Sequence, residues 1–313
     1  MRTLILNLSP VGQTGLAIAG LLVLATAGVA WLCHARPHRD FTELISRVRS
    51  WWIMSGFFFG SLVLGDRVSL LFFALISIWC LREFATLLPS RPADHGALVL
   101  AFLAVPLQYY WIGTGQEELA QLFIPFGMAI LIPFSLVLSQ ETAGLLASAS
   151  QVYWGLMVFA FGLSHLAFLL RLPKSPDGSA DGRSLLLFLV VLVQASDILQ
   201  YLWGKCLGRH KILPRVSPNK TWEGFLGGIA TATAASLALG FLTPFSLPEC
   251  LAVALATTLL GFVGGAVMSA LKRDLGVKDF GRMIPGHGGI LDRMDSLCYA
   301  CPVFFYYVRH AYY

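Results

Sequence analysis

Apolar segments long enough to cross a membrane, separated by short polar connections, run along the whole chain. Within each segment the apolar positions are continuous and do not alternate with polar ones, which favours α-helices over the strands of a membrane barrel. The pattern predicts ten candidate spans, at residues 14–33, 51–65, 68–88, 97–112, 119–139, 152–170, 184–203, 221–243, 248–271 and 294–309. The second span is short and can form a hairpin with the third around Gly65. We therefore predict an all-α polytopic membrane protein with eight to ten transmembrane helices.

The composition supports a membrane protein and excludes an ordinary soluble domain. Of the 313 residues, 57% are hydrophobic and only 12% are charged, whereas soluble domains carry about 25% charged residues. The first span follows Arg2 and could be mistaken for a signal peptide, but it is too long and is followed directly by Arg36 and Arg39. We expect it to be retained as a membrane helix.

Basic residues in the connections predict the orientation of the spans, because cytoplasmic loops are enriched in Lys and Arg. They concentrate in the first, third, seventh and ninth connections, for example at Arg47, Arg91, Lys211 and Arg282. With ten spans these connections all face the cytoplasm, whereas the connection at residues 171–183 also carries cations and conflicts with this orientation. The seventh and ninth connections are separated by two spans, so they share one side whatever the count upstream.

The ninth connection, residues 269–295, combines acids, cations and glycines at a density that a simple loop does not need. Its acids include Asp279, Asp292 and Asp295, and its cations are Lys272, Arg273, Lys278, Arg282 and Arg293. Asp292 and Asp295 are three residues apart and would share one helix face; with Asp279 returned by the loop, the three carboxylates could bind Mg²⁺. The glycines around His287 let backbone N–H groups approach a phosphate. The alternative is a positive-inside loop whose acids only pair with its arginines.

The seventh connection is basic and precedes a predicted helix. Its candidate contacts to phosphate are Lys205, Ser217, Lys220 and Thr221. Residues 217–221 are interpreted as a helix entry whose free N–H groups can bind an anion. Gly224, Gly227 and Gly228 would let that helix pack closely on a neighbour. The alternative is a juxtamembrane segment that holds anionic lipid.

Isolated polar residues inside the spans receive different interpretations. Asp197 lies in an apolar span, about two turns from its cytoplasmic end, and is a functional candidate within reach of a metal ion held between the loops. The alternative is a hydrogen-bonded packing acid. His165 and the pair Cys298 and Cys301 are interpreted as buried packing residues.

The two halves of the chain differ in their candidate chemistry. Residues 1–180 are predicted to form N-terminal transmembrane helices in which no site is recognised, and residues 181–313 to form the catalytic region. Within the first half, Arg82 and Glu83 end a span and are interpreted as a local ion pair.

The loop motifs match a known pattern. The C-terminal motif runs Ser269-x-x-Lys272-Arg273, Lys278-Asp279, His287-Gly288-Gly289 and Asp292-Arg293-Met294-Asp295, and the earlier motif runs Ser217-Pro218-x-Lys220-Thr221-x-Glu223-Gly224. Over residues 195–296 they resemble the signature segments of the phosphatidate cytidylyltransferase family, the CDP-diacylglycerol synthases. Asp197 stands where that family has a membrane aspartate. Asn219 and the segment after Asp197 depart from the family pattern, which indicates a divergent member.

The resemblance implies transfer of CMP from CTP to phosphatidate, giving CDP-diacylglycerol and pyrophosphate in phospholipid biosynthesis. It implies Lys272, Arg273, Asp279, His287, Asp292 and Arg293 as catalytic residues. It implies Lys205, Ser217, Lys220, Thr221, Ser269, Gly288 and Gly289 as substrate contacts, and Asp197, Asp279, Asp292 and Asp295 as metal ligands. For His287, a hydrogen bond to the leaving group and a role in fixing the turn are both open. A lipid phosphate is already ionised at neutral pH, which agrees with loops rich in cations and metal ligands and poor in general bases.

Further expectations concern ligands and location. We expect one or two Mg²⁺ ions with a monovalent cation as a further candidate, CTP and a membrane lipid phosphate as substrates, and a homodimer as an open possibility. The net charge of +5 agrees with cytoplasmic loops and anionic lipid rather than nucleic acid. The expected location is a bacterial inner membrane, with the active site on the cytoplasmic side. The alternatives are the same chemistry on another lipid phosphate, or a transporter of anionic substrates, for which internal repeats and broken helices would be expected.

Overall fold

A computed structural model describes residues 9–89, 91–175, 178 and 180–313. The described chain is a helical bundle with one β-hairpin. The helices are α1 (Pro10–Ala35), α2 (Thr42–Leu64), α3 (Asp66–Ala85), α4 (Pro92–Thr114), α5 (Glu117–Leu138), α6 (Leu145–Arg171), α7 (Gly182–Leu207), α8 (Trp222–Leu242), α9 (Leu247–Asp274), α10 (Leu291–Met294) and α11 (Leu297–Tyr312). The hairpin strands are β1 (Lys211–Leu213) and β2 (Ser217–Thr221). Helices α5 and α6 each contain one π-helical turn.

Eight of the described helices, α1 and α3 to α9, are long and apolar enough to cross a membrane. This confirms the all-α polytopic fold and its predicted number of spans. Helices α2 and α11 correspond to the predicted second and tenth spans. They fall short by composition or length, because α2 begins with charged residues and α11 has 16 residues.

Contacts at both ends of α2 show that it nevertheless crosses the bundle. Near its beginning, Ser50 donates a hydrogen bond of 2.8 Å to the Pro285 carbonyl, in the loop after α9. Directly after its end, Asp66 pairs with Arg183 at the start of α7 over 2.7 Å. These two positions lie at opposite ends of the bundle, because α7, α8 and α9 pack as consecutive antiparallel helices. The Asp66–Arg183 pair also neutralises one cation of the partly described connection at 171–183, which conflicted with the predicted orientation.

Helix α11 runs antiparallel to α9 in the same way. Its beginning lies beside Gly264 of α9. Near its end, the hydroxyls of Tyr307 and Tyr312 donate hydrogen bonds of 2.6 and 2.5 Å to the carboxylate of Glu249, at the start of α9. With α2 and α11 included, the described chain crosses ten times, and the hairpin and the loop after α9 lie at the same end of the bundle.

Buried aromatic rings fill the core between the N-terminal helices, α7 and α11. The largest fully buried side chains are Phe84, Phe159, Phe168, Phe188 and Phe305. His165 is completely buried among the rings of Phe161, Phe168 and Phe305. Cys298 and Cys301 are buried free thiols. The interpretation of these three residues as packing residues is confirmed.

The segment predicted as a helix entry does lead into α8, with Thr221 as its N-cap, but its residues form strand β2, which the sequence did not predict. It pairs antiparallel with β1, with Thr221 opposite Lys211. The helix begins only at Trp222, where the Thr221 hydroxyl accepts a hydrogen bond of 3.1 Å from the Gly224 N–H as the N-cap. The strand forms because pairing with β1 satisfies backbone groups that a single turn before the helix would leave open.

The predicted close packing through glycines is confirmed between α7 and α8. A Cβ atom on Gly228 would lie 2.4 Å from Cγ and 2.6 Å from Cα of Gln200. One on Gly224 would lie 2.7 Å from the Gln200 carbonyl oxygen, and one on Gly227 would lie 2.8 Å from the Trp203 ring. The backbone of α8 therefore rests directly on α7, which fixes the hairpin between them.

Gly228→Ala is expected to destabilise the protein by about 1–3 kcal/mol, because the added methyl group overpacks the contact between α7 and α8. The matched control is Gly60→Ala on α2, where a Cβ atom would meet nothing within 4 Å. Alanine is the better helix former by about 0.5–1 kcal/mol, so the control is expected to be neutral or stabilising. Thermal unfolding in detergent measures both, and equal midpoints for the two variants would contradict the close packing.

Candidate active site

Two carboxylates from distant parts of the chain meet between α7 and α11. Asp197 lies on α7, and Asp295 precedes α11. Ser296 joins them, since its hydroxyl donates a hydrogen bond of 2.8 Å to Asp197 and its N–H donates one of 2.8 Å to Asp295. Asp197 lies ten residues before Leu207, the end of α7, which is about 15 Å along a helix. The pair therefore lies inside the bundle, yet both residues keep partial exposure that a ligand can use.

Lys220 brings a cation to this pair from the end of β2. Its ammonium lies 4.6 Å from the centre of the Phe262 ring, and no described carboxylate is within ion-pair distance of it. Partial burial lowers the pKa of Lys220, while the charges of Asp197 and Asp295 act in the opposite direction. A cation with two acids nearby and no direct partner is suited to bind a phosphate.

Two glycines of α9 make room for this cluster. A Cβ atom on Gly264 would lie 2.7 Å from the Asp295 carbonyl oxygen, and one on Gly265 would lie 3.1 Å from the Lys220 ammonium nitrogen. A larger residue at 264 would push the backbone of Asp295 and Ser296 away from α9, and one at 265 would push the Lys220 ammonium away. Sequence reasoning missed both residues, although a Gly-Gly pair inside an apolar span is a recognisable sign of close approach.

Asp292 is held in a different way, by groups of its own loop. It is buried, one of its oxygens accepts a hydrogen bond of 2.8 Å from the Lys272 ammonium, and the other accepts bonds of 2.9 and 3.0 Å from the N–H groups of Phe280 and Gly289. The Lys272 ammonium also lies 5.3 Å from the centre of the Phe280 ring. Asp292 thus connects the end of α9 to both ends of the loop.

The expected cluster of three carboxylates does not form. Among the described residues, no three His, Cys, Asp or Glu side chains lie together closely enough to hold one metal ion. Asp292 and Asp295 have different partners: Asp292 accepts from Lys272 and two loop N–H groups, whereas Asp295 accepts from the N–H of Ser296, whose hydroxyl donates to Asp197. Asp279 is exposed and lies beside Gly288 in the loop.

The loop around His287 forms a tight turn. The His287 N–H donates a hydrogen bond of 2.9 Å to the Ile284 carbonyl, and Ile284 bridges to Gly288. Gly288 has φ +82°, a conformation that glycine adopts without strain, and a Cβ atom there would lie 2.9 Å from an Asp292 oxygen. The Gly289 N–H is engaged by Asp292. This N–H is therefore not free in the loop for the phosphate contact that the sequence predicted.

Two nitrogen atoms near this turn have no hydrogen-bond partner. They are Nδ1 of His287 and Nε of Arg293, both buried within the described part of the chain. The His287 ring lies edge-on to Trp51, with centroids 6.0 Å apart. Burial and the charge of Arg293 lower the pKa of His287.

Glu83 is a buried acid of the first half that sequence reasoning did not assign to the site. Its two oxygens accept hydrogen bonds of 3.1 and 2.9 Å from the N–H groups of Ile290 and Leu291. The predicted ion pair with Arg82 does not form, because the Arg82 guanidinium turns away and lies 5.0 Å from the centre of the Trp79 ring. The expectation of no site residue in 1–180 followed from treating this acid as part of a surface pair.

The remaining predicted contacts lie around the cluster. Arg273 donates a hydrogen bond of 3.2 Å to the Val216 carbonyl and so joins the hairpin to the end of α9. The Ser269 hydroxyl donates to the Gly265 carbonyl over 2.6 Å, within α9. Lys205 is exposed on α7, and Ser217 lies in β2. The structure thus brings Asp197, Asp295 and Lys220 together. It places Asp279 in the loop after α9, and Lys272 and Asp292 at the two ends of that loop. Lys205, Ser217, Ser269 and Arg273 lie at the periphery.

Comparison with known proteins identifies the architecture. The sequence profile of the cytidylyltransferase family matches residues 45–311. The chain belongs to the cytidylyltransferase family. It is 43% identical over 295 residues to the uncharacterized protein YnbB of Escherichia coli (strain K12), covering 94% of this chain and 96% of that protein. It is 32% identical over 253 residues to a phosphatidate cytidylyltransferase of Staphylococcus haemolyticus (77% and 90% covered) and 32% identical over 258 residues to one of Haemophilus influenzae (75% and 86% covered).

Family membership confirms the broad expectations from the sequence. This cytidylyltransferase is a membrane-integral nucleotidyltransferase of phospholipid biosynthesis, with a nucleotide and a lipid as substrates. An enzyme is thereby favoured over the transporter of anionic substrates. The higher identity to YnbB than to these two phosphatidate cytidylyltransferases agrees with a divergent paralogue.

Proposed function

We propose that this cytidylyltransferase transfers CMP from CTP to phosphatidate and releases CDP-diacylglycerol and pyrophosphate. The observation that carries the proposal is the pair of Asp197 and Asp295, with the Lys220 ammonium beside Ser296 and no described carboxylate within ion-pair distance of that ammonium. Transfer of a nucleotidyl group between phosphates needs metal ligands and phosphate-binding cations in one place. The names of the Staphylococcus and Haemophilus relatives support phosphatidate as the acceptor.

Asp197 and Asp295 fit a Mg²⁺ site. Mg²⁺ commonly takes one or two carboxylates and completes its shell with water and substrate phosphates. These two acids share Ser296 and are partly exposed, so a cation between them would offset their mutual repulsion. Such an ion supplies charge neutralisation to the nucleotide phosphates. Asp279 is the candidate ligand for a second ion, divalent or monovalent, whereas Asp292 has both oxygens engaged by its own loop.

The reaction forms one P–O bond and breaks another. A phosphate oxygen of the lipid attacks the α-phosphorus of CTP, and the bond from this phosphorus to the oxygen that bridges to the β-phosphate breaks, so that pyrophosphate leaves. The attacking phosphate has a second pKa of about 6, so no residue has to remove a proton at neutral pH. Lys220 and Arg293 would stabilise charge on the phosphates, and His287 would donate a hydrogen bond to the leaving pyrophosphate.

We propose that the active site faces the cytoplasm of a bacterial cell from the inner membrane. The basic residues of the hairpin and of the loop after α9, including Arg209, Lys211, Arg215, Lys278 and Arg282, lie at the same end of the bundle as the carboxylate pair. Cytoplasmic loops are enriched in such residues. The relatives named above are bacterial proteins, which supports the location.

The test is an assay of the purified protein with CTP labelled at its α-phosphate, with and without Mg²⁺. Phosphatidate, lysophosphatidate and an isoprenoid-ether phosphate serve as separate acceptors. We expect Mg²⁺-dependent transfer of the label to phosphatidate, with release of pyrophosphate. Transfer to lysophosphatidate or the isoprenoid-ether phosphate alone would contradict phosphatidate as the acceptor. The absence of transfer to any of these lipid phosphates would contradict the proposed reaction.

Lys220→Met is expected to lower kcat/KM about 100- to 1000-fold, because it removes a charge that faces the phosphates in a partly buried site. Methionine keeps an apolar chain against Phe262, so the fold should be retained. The matched control is Lys174→Met, an exposed lysine in the connection before α7, at the opposite end of the bundle, with an expected change of less than about threefold. Initial rates over a range of CTP concentrations measure both variants. Equal effects would contradict the placement of Lys220 in the site.

A further inference from the structure

The first half of the chain holds the loop that contains His287. Ser50 donates a hydrogen bond of 2.8 Å to the Pro285 carbonyl, and the Trp51 ring meets the His287 ring edge-on. Glu83, near the end of α3, holds the next part of the loop. It accepts hydrogen bonds from the N–H groups of Ile290 and Leu291. The start of α2 and the end of α3 therefore fix two successive parts of one loop.

We infer that Glu83 is a positioning residue for nucleotidyl transfer, which sets the place of Asp295 by holding the start of α10. Glu83 is only 6% exposed and uses both oxygens, one for the Ile290 N–H and one for the Leu291 N–H. Helix α10 has four residues, so Asp295 follows within little more than one turn of this contact. A shift of Ile290 or Leu291 would be transmitted directly to Asp295 and to its contact with Asp197 through Ser296.

Two glycines show how closely this carboxylate fits the loop. A Cβ atom on Gly281 or on Gly289 would lie 2.3 Å from an oxygen of Glu83. The carboxylate therefore sits between the outgoing and returning parts of the loop, with no space for side chains there. Asp292 accepts hydrogen bonds from the N–H groups of Phe280 and Gly289, and Glu83 accepts them from Ile290 and Leu291. The two acids together therefore satisfy the three consecutive N–H groups of residues 289–291.

Glu83 itself has no place in the chemistry proposed above. Both its oxygens are engaged by backbone N–H groups, and its carboxylate is enclosed by the loop. Its effect on the reaction must pass through the backbone. The kinetic test of this inference rests on the proposed function. A second test, hydrogen exchange of the loop amides, does not depend on that function.

The test compares Glu83→Gln with Glu249→Gln. Glutamine has the same size, but its amide nitrogen would face one of the two N–H donors and leave it without an acceptor. We expect kcat to fall about tenfold to 100-fold, and the Mg²⁺ concentration for half-maximal rate to rise about tenfold, as for residues that orient metal ligands. Glu249 accepts two tyrosine hydroxyls at the opposite end of α9, so its variant should retain both kinetic values.

Hydrogen exchange of the backbone amides, measured without Mg²⁺ or nucleotide, gives the second readout. In Glu83→Gln we expect faster exchange confined to the peptide that covers residues 285–296. Wild-type exchange there, faster exchange throughout the bundle, or unchanged kcat and Mg²⁺ dependence would each overturn the inference. If Glu83→Gln does not insert, Glu83→Asp, which keeps the charge and shortens the reach, is measured in the same way. A wild-type protein inactive on every lipid would instead contradict the proposed function, and the exchange readout would still decide on the contact.

Discussion

Asp295→Asn is expected to lower CMP transfer by about a thousandfold or more, because it removes one of two carboxylates proposed to hold Mg²⁺ at the reacting phosphates. The same loss is expected for Asp197→Asn. Asparagine keeps the size of the side chain and can still accept the hydrogen bond from the Ser296 N–H or hydroxyl. The midpoint of thermal unfolding should therefore stay at or above the wild-type value, since neutralising one acid also relieves repulsion between the two.

The control for this prediction is Asp66→Asn. Asp66 is a partly exposed carboxylate that pairs with Arg183 at the opposite end of the bundle, and exposed pairs contribute little. Its loss should leave turnover within about twofold of wild type. Rates with saturating CTP and phosphatidate, together with unfolding midpoints in detergent, are the measurements. Turnover near the wild-type rate in Asp295→Asn would contradict the proposed role of Asp295 as a Mg²⁺ ligand.

The helical architecture could be predicted because the membrane imposes one dominant rule on the sequence. Spans of about 20 apolar residues are required by the bilayer, and the predicted and observed segments agree to within several residues for most helices. The start of α2 was placed later, at residue 51, because residues 42–50 include the charged residues Glu43, Arg47 and Arg49, and this part of the helix lies at the loop end of the bundle. The hairpin was missed because three- and five-residue strands leave little pattern in a sequence.

The candidate site could be predicted in part, for a physical reason. Asp197 and the acids of the loop after α9 were identified because charged residues in or beside a membrane span usually have a function. Asp197 does lie beside this segment, since Ser296 donates hydrogen bonds to both Asp197 and Asp295. The different partners of Asp292 and Asp295 depend on how the loop after α9 folds back onto α10, which spacing alone does not determine. The contact of Glu83 with Leu291 joins residues 208 positions apart, so it can be recognised only once the helices are placed.

The two acids of the Asp-Arg-Met-Asp motif are therefore expected to respond differently to the same substitution. Asp292→Asn should destabilise the protein by about 3–5 kcal/mol, because Lys272 has a side chain only 14% exposed and would lose its carboxylate partner. The asparagine oxygen can still accept from the N–H groups of Phe280 and Gly289, which share one oxygen of Asp292. Activity should fall with the folded fraction and with the order of the loop. The matched control is Asp274→Asn, an exposed aspartate at the end of α9, for which little change in stability is expected.

A double-mutant cycle with Lys272→Met separates the two roles of Asp292. If Asp292 organises the loop through Lys272, the double variant Asp292→Asn with Lys272→Met should be more stable than the sum of the single effects by about 1–3 kcal/mol, because neither charge is then buried alone. If Asp292 were a metal ligand of the same kind as Asp295, its single variant would keep wild-type stability and lose only turnover. An interaction energy near zero, together with an unchanged unfolding midpoint, would support Asp292 as a metal ligand. A large interaction energy would show that Asp292 organises the loop, and would support Asp197 and Asp295 as the ligands of the proposed Mg²⁺. The two acids of the motif would then have different roles, Asp292 in holding the loop and Asp295 in binding the ion.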